Sequence, residues 1–246
     1  MSGVLDIVIP MAGRGSRFAK VGFELPKPLI DVAGQPMIAR VIANLRPVMP
    51  HRFIFLVLQE HLETHDLAAK LLNWAGPQSK IVPVTEVTEG AACTVLLAKK
   101  HLSKQNDLII ANSDQLVDFK MTEFIGKARK SGADGSILVF EDDDEKWSFA
   151  KIDNDGSVIE VAEKRRISNL ATVGIYYFKH GSEFVRAAEK MIAKNIRVNG
   201  EFYVCPVYNE MIANHDRIVT AKIVKEAMHG VGTPEDLEIY LQGLKE

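Results

Sequence analysis

Apolar positions in this chain follow two rhythms. Short, largely apolar runs at Leu5–Ile9, Phe53–Leu58, Lys80–Val84 and Asp107–Ala111 have the length of strands buried on both faces. Between them the spacing turns helical. Pro36–Leu45 predicts a helix with proline in its first turn and one face of Met37, Ile38, Val41, Ile42 and Leu45. Glu60–Trp74 repeats Leu62, Leu67, Leu71 and Leu72 at helical intervals, and Ala91–Leu102 predicts a third helix. Buried strands alternating with amphipathic helices predict an α/β fold: a Rossmann-like, mostly parallel sheet with helices on both faces. Ligands of such sheets bind beyond the carboxyl ends of the strands.

The second half changes character. Ser136–Phe140 reads as a strand, followed by the acidic loop Glu141-Asp142-Asp143-Asp144-Glu145. Phe149–Ile152 and Val158–Ala162 flank Asp153-Asn154-Asp155-Gly156, a strong hairpin signal. Thr172–Phe178 and Ile218–Lys222 predict further strands; Glu183–Ala193 and Phe202–Ala213 predict helices. Pro234–Leu244 predicts a terminal helix behind a Thr233 cap. Without a linker, repeat or low-complexity tract, residues 1–246 are expected to form one domain whose second half adds a smaller antiparallel lobe.

Composition narrows the class. A hydrophobic content of 47% and a charged content of 25% are ordinary for a globular chain of 246 residues. A net charge of −2 offers no basic field to nucleic acid or an anionic membrane. Met1–Asp6 has no signal-like character and no apolar run is long enough to span a bilayer, so the expected location is cytoplasmic. Cys93 and Cys205 are far apart and in no ligand spacing, which reads as two free packing thiols. His61 and His65, four apart, read as surface histidines, and the acidic loop 141–145 as a solvated turn beside Trp147, which could close over a ligand.

The chemistry concentrates where the first strand ends. Val8-Ile9-Pro10-Met11-Ala12 runs into Gly13-Arg14-Gly15-Ser16-Arg17, and ten residues after Arg17 comes Lys27, between Pro26 and Pro28. Glycines let the backbone approach a ligand and its amides cradle an anion. With Arg14, Arg17 and Lys27 at the same mouth, the turn suits a polyphosphate. It is not a Walker A loop, because Ser16-Arg17 follows Gly15 where Lys-Ser/Thr is required. Nor is it a dinucleotide fingerprint, since Phe18 stands near the third glycine's place. At the end of the fourth strand, Asn112-Ser113-Asp114 places a carboxylate that can hold Mg²⁺ or cap the next helix.

Ala-Gly-x-Gly-Ser-Arg followed by Pro-Lys-Pro-Leu-Ile resembles the sugar-phosphate nucleotidyltransferases, also called nucleotide-sugar pyrophosphorylases. Their commonest turn is Ala-Gly-Gly-x-Gly-Thr-Arg, so Arg14 stands one glycine short. The resemblance spans essentially the whole chain and is closest to short capsule and surface-polysaccharide members, several of which use CTP. It implies that an NTP, with CTP favoured over UTP or dTTP, reacts with a phosphorylated sugar or other small phosphorylated acceptor to give NDP-acceptor and pyrophosphate. Arg17 and Lys27 would be catalytic. Ala12, Gly13, Arg14, Gly15, Ser16 and Asn112 would bind the nucleotide, with Glu89 and Gly90 at the nucleobase, where Gly90 leaves room for the ring. Asp114 would hold Mg²⁺. Residues to about 135 would serve the NTP and those from about 136 the acceptor, with Glu163 at its hydroxyls, Lys164 holding its phosphate, and Glu201 and Gly174 beside them, the last allowing close approach.

Two departures from the family pattern concern the metal. Pro206 stands where Gly-Glu-x-Glu-x-Thr-Asp usually supplies an aspartate, and Gly230 stands where another is common. Glu201 or water could substitute. Two other classes therefore stay open: a family-2-like glycosyltransferase, which would release NDP, and a non-catalytic nucleotide-binding regulator. Assembly as a homo-oligomer is left open as well.

Overall fold

A computed structural model describes residues 4–244; the Met1–Gly3 part of the amino-terminal reading lies outside them. In chain order the first part comprises β1 (Leu5–Met11), α1 (Ser16–Lys20), β2 (Asp31–Val32), β3 (Gln35–Pro36), α2 (Met37–Leu45), β4 (His51–Leu58), α3 (Gln59–His65), α4 (Leu67–Ala75), β5 (Lys80–Val84), α5 (Ala91–Leu96) and β6 (Leu108–Ala111). Then come β7 (Gln115–Val117), α6 (Met121–Ser131), β8 (Gly135–Glu141), β9 (Ser148–Ile152), β10 (Val158–Glu163), β11 (Leu170–Phe178), α7 (Gly181–Ala193), α8 (Val207–Ile212), β12 (Ile218–Lys222), β13 (Met228–Gly230) and α9 (Pro234–Gly243).

The predicted parallel sheet is present: β5, β4, β1 and β6 lie side by side, all parallel. Side chains of β1 alternate between two cores. Ile7 and Ile9 pack with α2, α4 and α6 on one face, and Val8 packs with α5, α7 and α8 on the other. Covering both faces explains why these strands read as unbroken apolar runs. Each fully buried aliphatic side chain contributes about 1.5–3 kcal/mol.

Beyond β6 the sheet turns antiparallel and forks. The carboxyl-terminal half of β11 pairs with β6, while Ala171 near its start pairs with Phe149 of the β9–β10 hairpin. β8 lines the other edge of β11 antiparallel and carries β12 in parallel. The register on β8 shifts between Thr172 and Tyr176, around Gly174. This is the antiparallel lobe the sequence predicts, continuous with the parallel sheet.

Several elements depart from expectation. The 60–74 helix is two helices, broken at Asp66, whose φ is +48°. The 91–102 helix ends at Leu96, with a 3₁₀ turn at Lys99–His101. Only Val207–Ile212 of the 202–213 segment is helical, because the Phe202 backbone is bonded to Glu89 and Ala92 instead. Helix α6 and the short β7–β13 pairing are not anticipated by the sequence reading. His61 is buried rather than on the surface, and burial lowers its pKa. In the acidic loop, Asp142 is not solvated: its side chain is 8% exposed and pairs with Lys225 at 2.7 Å. Among the described residues no helix is long and apolar enough to cross a membrane.

Candidate active site

β1 and β6 are parallel neighbours, with Val8 opposite Ile110, so Ala12–Gly15 and Asn112–Asp114 emerge side by side. Gly15 has φ +62°, where L side chains are strained, and a Cβ there would lie 2.9 Å from Lys27 Cβ. The glycine thus lets Lys27 seat against the turn. Lys27 opens a 3₁₀ turn, Lys27–Leu29, with Pro26 preceding it and Pro28 fixing φ inside it. Its Nζ donates to Asp114 Oδ2 in a half-buried ion pair. The segment after β13 closes behind that carboxylate. Val231 N donates to Asp114 O at 2.9 Å, and a Cβ at Gly232 would fall 2.5 Å from Asp114 Oδ2.

Two cavities meet at Asn112 and Asp114. The turn-side cavity, about 360 Å³, is lined by Gly13, Gly15, Lys27 and Glu201 in addition to those two. The other, about 280 Å³, takes Arg17, Glu163, Lys164 and Tyr203. Arg17 thus lines the second cavity, and Glu201 the turn-side one. Arg14 lines neither; it is exposed and lies 3.7 Å from Glu60. Ala12 and Ser16 belong to the turn without lining either cavity, and Glu89 pairs with Arg197 at 3.2 Å.

Two glycines are packed closely by other parts of the protein, and Gly174 also lines the second cavity. At Gly90 the space is filled by the Phe202 backbone, since a Cβ would lie 2.5 Å from Phe202 N. The absence of a side chain at Gly90 allows Phe202 N to donate to Glu89 O at 2.8 Å and Ala92 N to Phe202 O at 3.0 Å. At Gly174, φ is +88°, and the side-chain amides of Asn112 and Gln115 occupy the place of a Cβ. The close approach at Gly174 is thus made by these two amides.

The wall of the second cavity is a polar network on the antiparallel lobe. Glu163 at the end of β10 lies opposite Ser148 of β9, whose Oγ donates to Glu163 Oε2. Burial raises the Glu163 pKa; the Ser148 hydrogen bond and the Lys164 charge oppose that rise without cancelling it. Thr172 and Tyr176 hydroxyls lie 3.1 Å apart on β11. Cys205 is buried, its thiol pushed up by burial, and Cys93 is half-buried; both are free, as predicted. Ser148, Thr172, Gln115 and Tyr203 were not singled out by the sequence. Alternation along the strands is the one signal that could have found Ser148 and Thr172. Trp147 lines this cavity and its indole N–H has no partner among the described residues.

Known proteins share both sequence and fold with this chain. The GlmU bifunctional protein of Methanococcus aeolicus is 26% identical over 185 residues; the match takes in 72% of this chain but only 40% of that protein's length. The UTP–glucose-1-phosphate uridylyltransferase AglF of Haloferax volcanii is 21% identical over 98% of this chain and 97% of its own. The crystal structure of a nucleoside-diphosphate-sugar pyrophosphorylase from Vibrio cholerae superposes with a TM-score of 0.83 at 29% identity, covering 96% of this chain and 99% of that one. The model of the family described as nucleotidyl transferase matches residues 7–237, so the chain belongs to the nucleotidyl transferase family.

Proposed function

We propose that this protein transfers a nucleotidyl group from an NTP to a phosphorylated sugar or other small phosphorylated acceptor. The observation that carries the reading is the pair of cavities joined at Asp114, one under the glycine-rich turn and one on the antiparallel lobe. On this reading the turn side holds the NTP and the lobe side the acceptor. An oxygen of the acceptor phosphate attacks the α-phosphorus in line, and the bond to the β-phosphate oxygen breaks to release pyrophosphate. An acceptor phosphate is already ionised near neutrality, so no general base is needed. Catalysis then rests on positioning and charge neutralisation. Lys27 meets the triphosphate, and Arg17, from the acceptor side, meets the reacting phosphate.

The donor set fits Mg²⁺. Asp114 presents a hard carboxylate to both cavities, and Asp236 lines the second one. Among the described residues no group of three or more ligating side chains gathers, so Mg²⁺ would take one or two of these carboxylates and complete its shell with phosphate and water. When bound, Mg²⁺ would neutralise phosphate charge. Asp114 would hold it, and Lys27 would turn from Asp114 toward the phosphates.

Residues 1–246 are read as one nucleotidyltransferase domain, with an NTP half to about residue 135 and an acceptor half after it. The nucleotide is read as a pyrimidine, CTP ahead of UTP and dTTP, serving surface-polysaccharide precursor synthesis. That finer reading rests on resemblance to the short polysaccharide members. A panel of NTPs against phosphorylated sugars, polyols and small acids, read by Mg²⁺-dependent pyrophosphate release, tests it. Release of NDP from a nucleotide-sugar would instead make the chain a glycosyltransferase, and nucleotide binding without turnover would make it a regulator.

A further inference from the structure

Lys164 and Tyr203 come from different elements and meet in the second cavity. Lys164 follows β10 with φ +51°, and its amide donates to Trp147 O at 3.0 Å. Tyr203 follows Phe202, whose backbone is tied to Glu89 and Ala92 and whose ring lies 4.0 Å from the Arg197 guanidinium carbon. Both backbones are therefore held before any ligand arrives. Lys164 Nζ donates to Tyr203 Oη at 2.7 Å and lies 4.7 Å from the centre of the phenol ring.

That arrangement leaves donors to spare. The ammonium spends one N–H on the phenol and keeps two. The phenol oxygen accepts that bond, so its own O–H is free to donate, and it finds no acceptor among the described residues. A phenol polarised by an ammonium is also a better donor. Among the described residues Lys164 forms no salt bridge, and the neighbouring Glu163, whose carboxyl feels its charge, bonds to Ser148 instead, which leaves the ammonium for an anion.

We propose that Tyr203 completes a two-donor clamp with Lys164, the lysine the resemblance sets at the acceptor's phosphate: Tyr203 both fixes the ammonium and donates a bond of its own to that phosphate. The proposal rests on reading the second cavity as the acceptor side. Tyr203 is then a determinant of specificity for phosphorylated acceptors over their unphosphorylated counterparts.

Tyr203→Phe is the test, because it keeps the ring under the ammonium and removes only the hydroxyl. Binding of glucose 1-phosphate, inositol 1-phosphate and glycerol 3-phosphate is measured by calorimetry at fixed Mg²⁺ and α,β-methylene-CTP, which cannot release pyrophosphate, with glucose, inositol and glycerol as controls. CTP is titrated separately, and a thermal melt of each variant reports folding. The phosphorylated probe that wild type binds should bind Tyr203→Phe about tenfold more weakly, with CTP affinity unchanged. Acceptor KM should rise while kcat holds. Adding Tyr203→Phe to Lys164→Ala should cost less than it does alone, because the two groups act as a unit. If Lys164→Ala weakens the probe but Tyr203→Phe does not, the clamp is wrong and the acceptor-side reading survives. If wild type binds none of the phosphorylated probes, or Lys164→Ala binds them as wild type does, the acceptor-side reading falls and takes the clamp with it.

Discussion

Two lysines enter the same cleft on opposite kinds of partner. Lys27, on the turn side, is paired with the Asp114 carboxylate; Lys164, on the lobe side, rests on the neutral phenol of Tyr203. A cation balanced by a carboxylate offers little net field to an incoming anion. On the proposed reading, Asp114 would hold a divalent cation brought with the polyphosphate, which would leave Lys27 free for the phosphates. A cation on a phenol keeps its charge and needs no such exchange. On the proposed reading the two halves of the site differ in this way: the NTP side works through an ion, and the acceptor side works through an unbalanced lysine.

Breaking the turn side should have the largest effect. Asp114→Asn is nearly isosteric and keeps a polar side chain beside Lys27, so the fold should survive while turnover drops below detection in a pyrophosphate-release assay. Full activity at limiting Mg²⁺ would place the ion elsewhere, with Asp236 and Glu201 the next carboxylates to replace. Lys27→Ala and Arg17→Ala should each lower kcat by at least about a hundredfold, the scale of one lost transition-state contact. Near wild-type rates in both variants, with unchanged melting, would end their catalytic assignment.

The lobe side should respond in affinity rather than in rate. Lys164→Ala should weaken acceptor binding about ten- to a hundredfold, the worth of a charge-assisted hydrogen bond, and leave NTP binding alone. Chelating Mg²⁺ should do the reverse, weakening NTP and sparing acceptor. Titrations of each ligand with and without chelator would decide the matter. The same sensitivity on both sides would mean that the two lysines do not divide the ligands.

How legible this division was depends on what each side is built from. Gly13, Gly15 and Asp114 follow the carboxyl ends of apolar strands, and residue type with strand position was enough to mark them; Lys27, well past β1, was marked by its flanking prolines and the family resemblance. Tyr203 was hidden, because the 202–205 segment has helical periodicity yet is held out of the helix by hydrogen bonds to Glu89 and Ala92. Ser148 was hidden by a bulge. Val158 pairs with Ile152, but the register shifts before Glu160 pairs with Lys151, and that single step puts Glu163 opposite Ser148 instead of Trp147. Counting back from the Asp153–Gly156 turn, with Ile152 opposite Ser157, gives the wrong partner. The β7–β13 pair, which brings Gly230–Gly232 behind Asp114, joins three-residue strands more than a hundred positions apart, too short and too distant for any local pattern to show.

The smallest expected effect concerns whether the charge of Lys164 is really unbalanced. Glu163 precedes it in sequence and is the carboxylate that could neutralise it. Burial raises the Glu163 pKa above the ordinary carboxylate value of about 4.3, so the buried group resists ionisation. In the pH range above that value the unfolded chain loses its proton first, and the folded state binds more protons than the unfolded. Stability from this group is therefore full below about pH 4.3 and is lost as pH rises through the folded pKa. Glu163→Gln removes the titration, and its amide oxygen can still accept the bond from Ser148 Oγ. Thermal melts of both proteins from pH 4 to 8 should then show wild type losing ground to Glu163→Gln as pH rises. A gain for wild type over the same range would mean a depressed pKa and a Glu163 carboxylate paired with Lys164. The lobe side would then hold a balanced lysine like the turn side, and the contrast between the two halves would disappear.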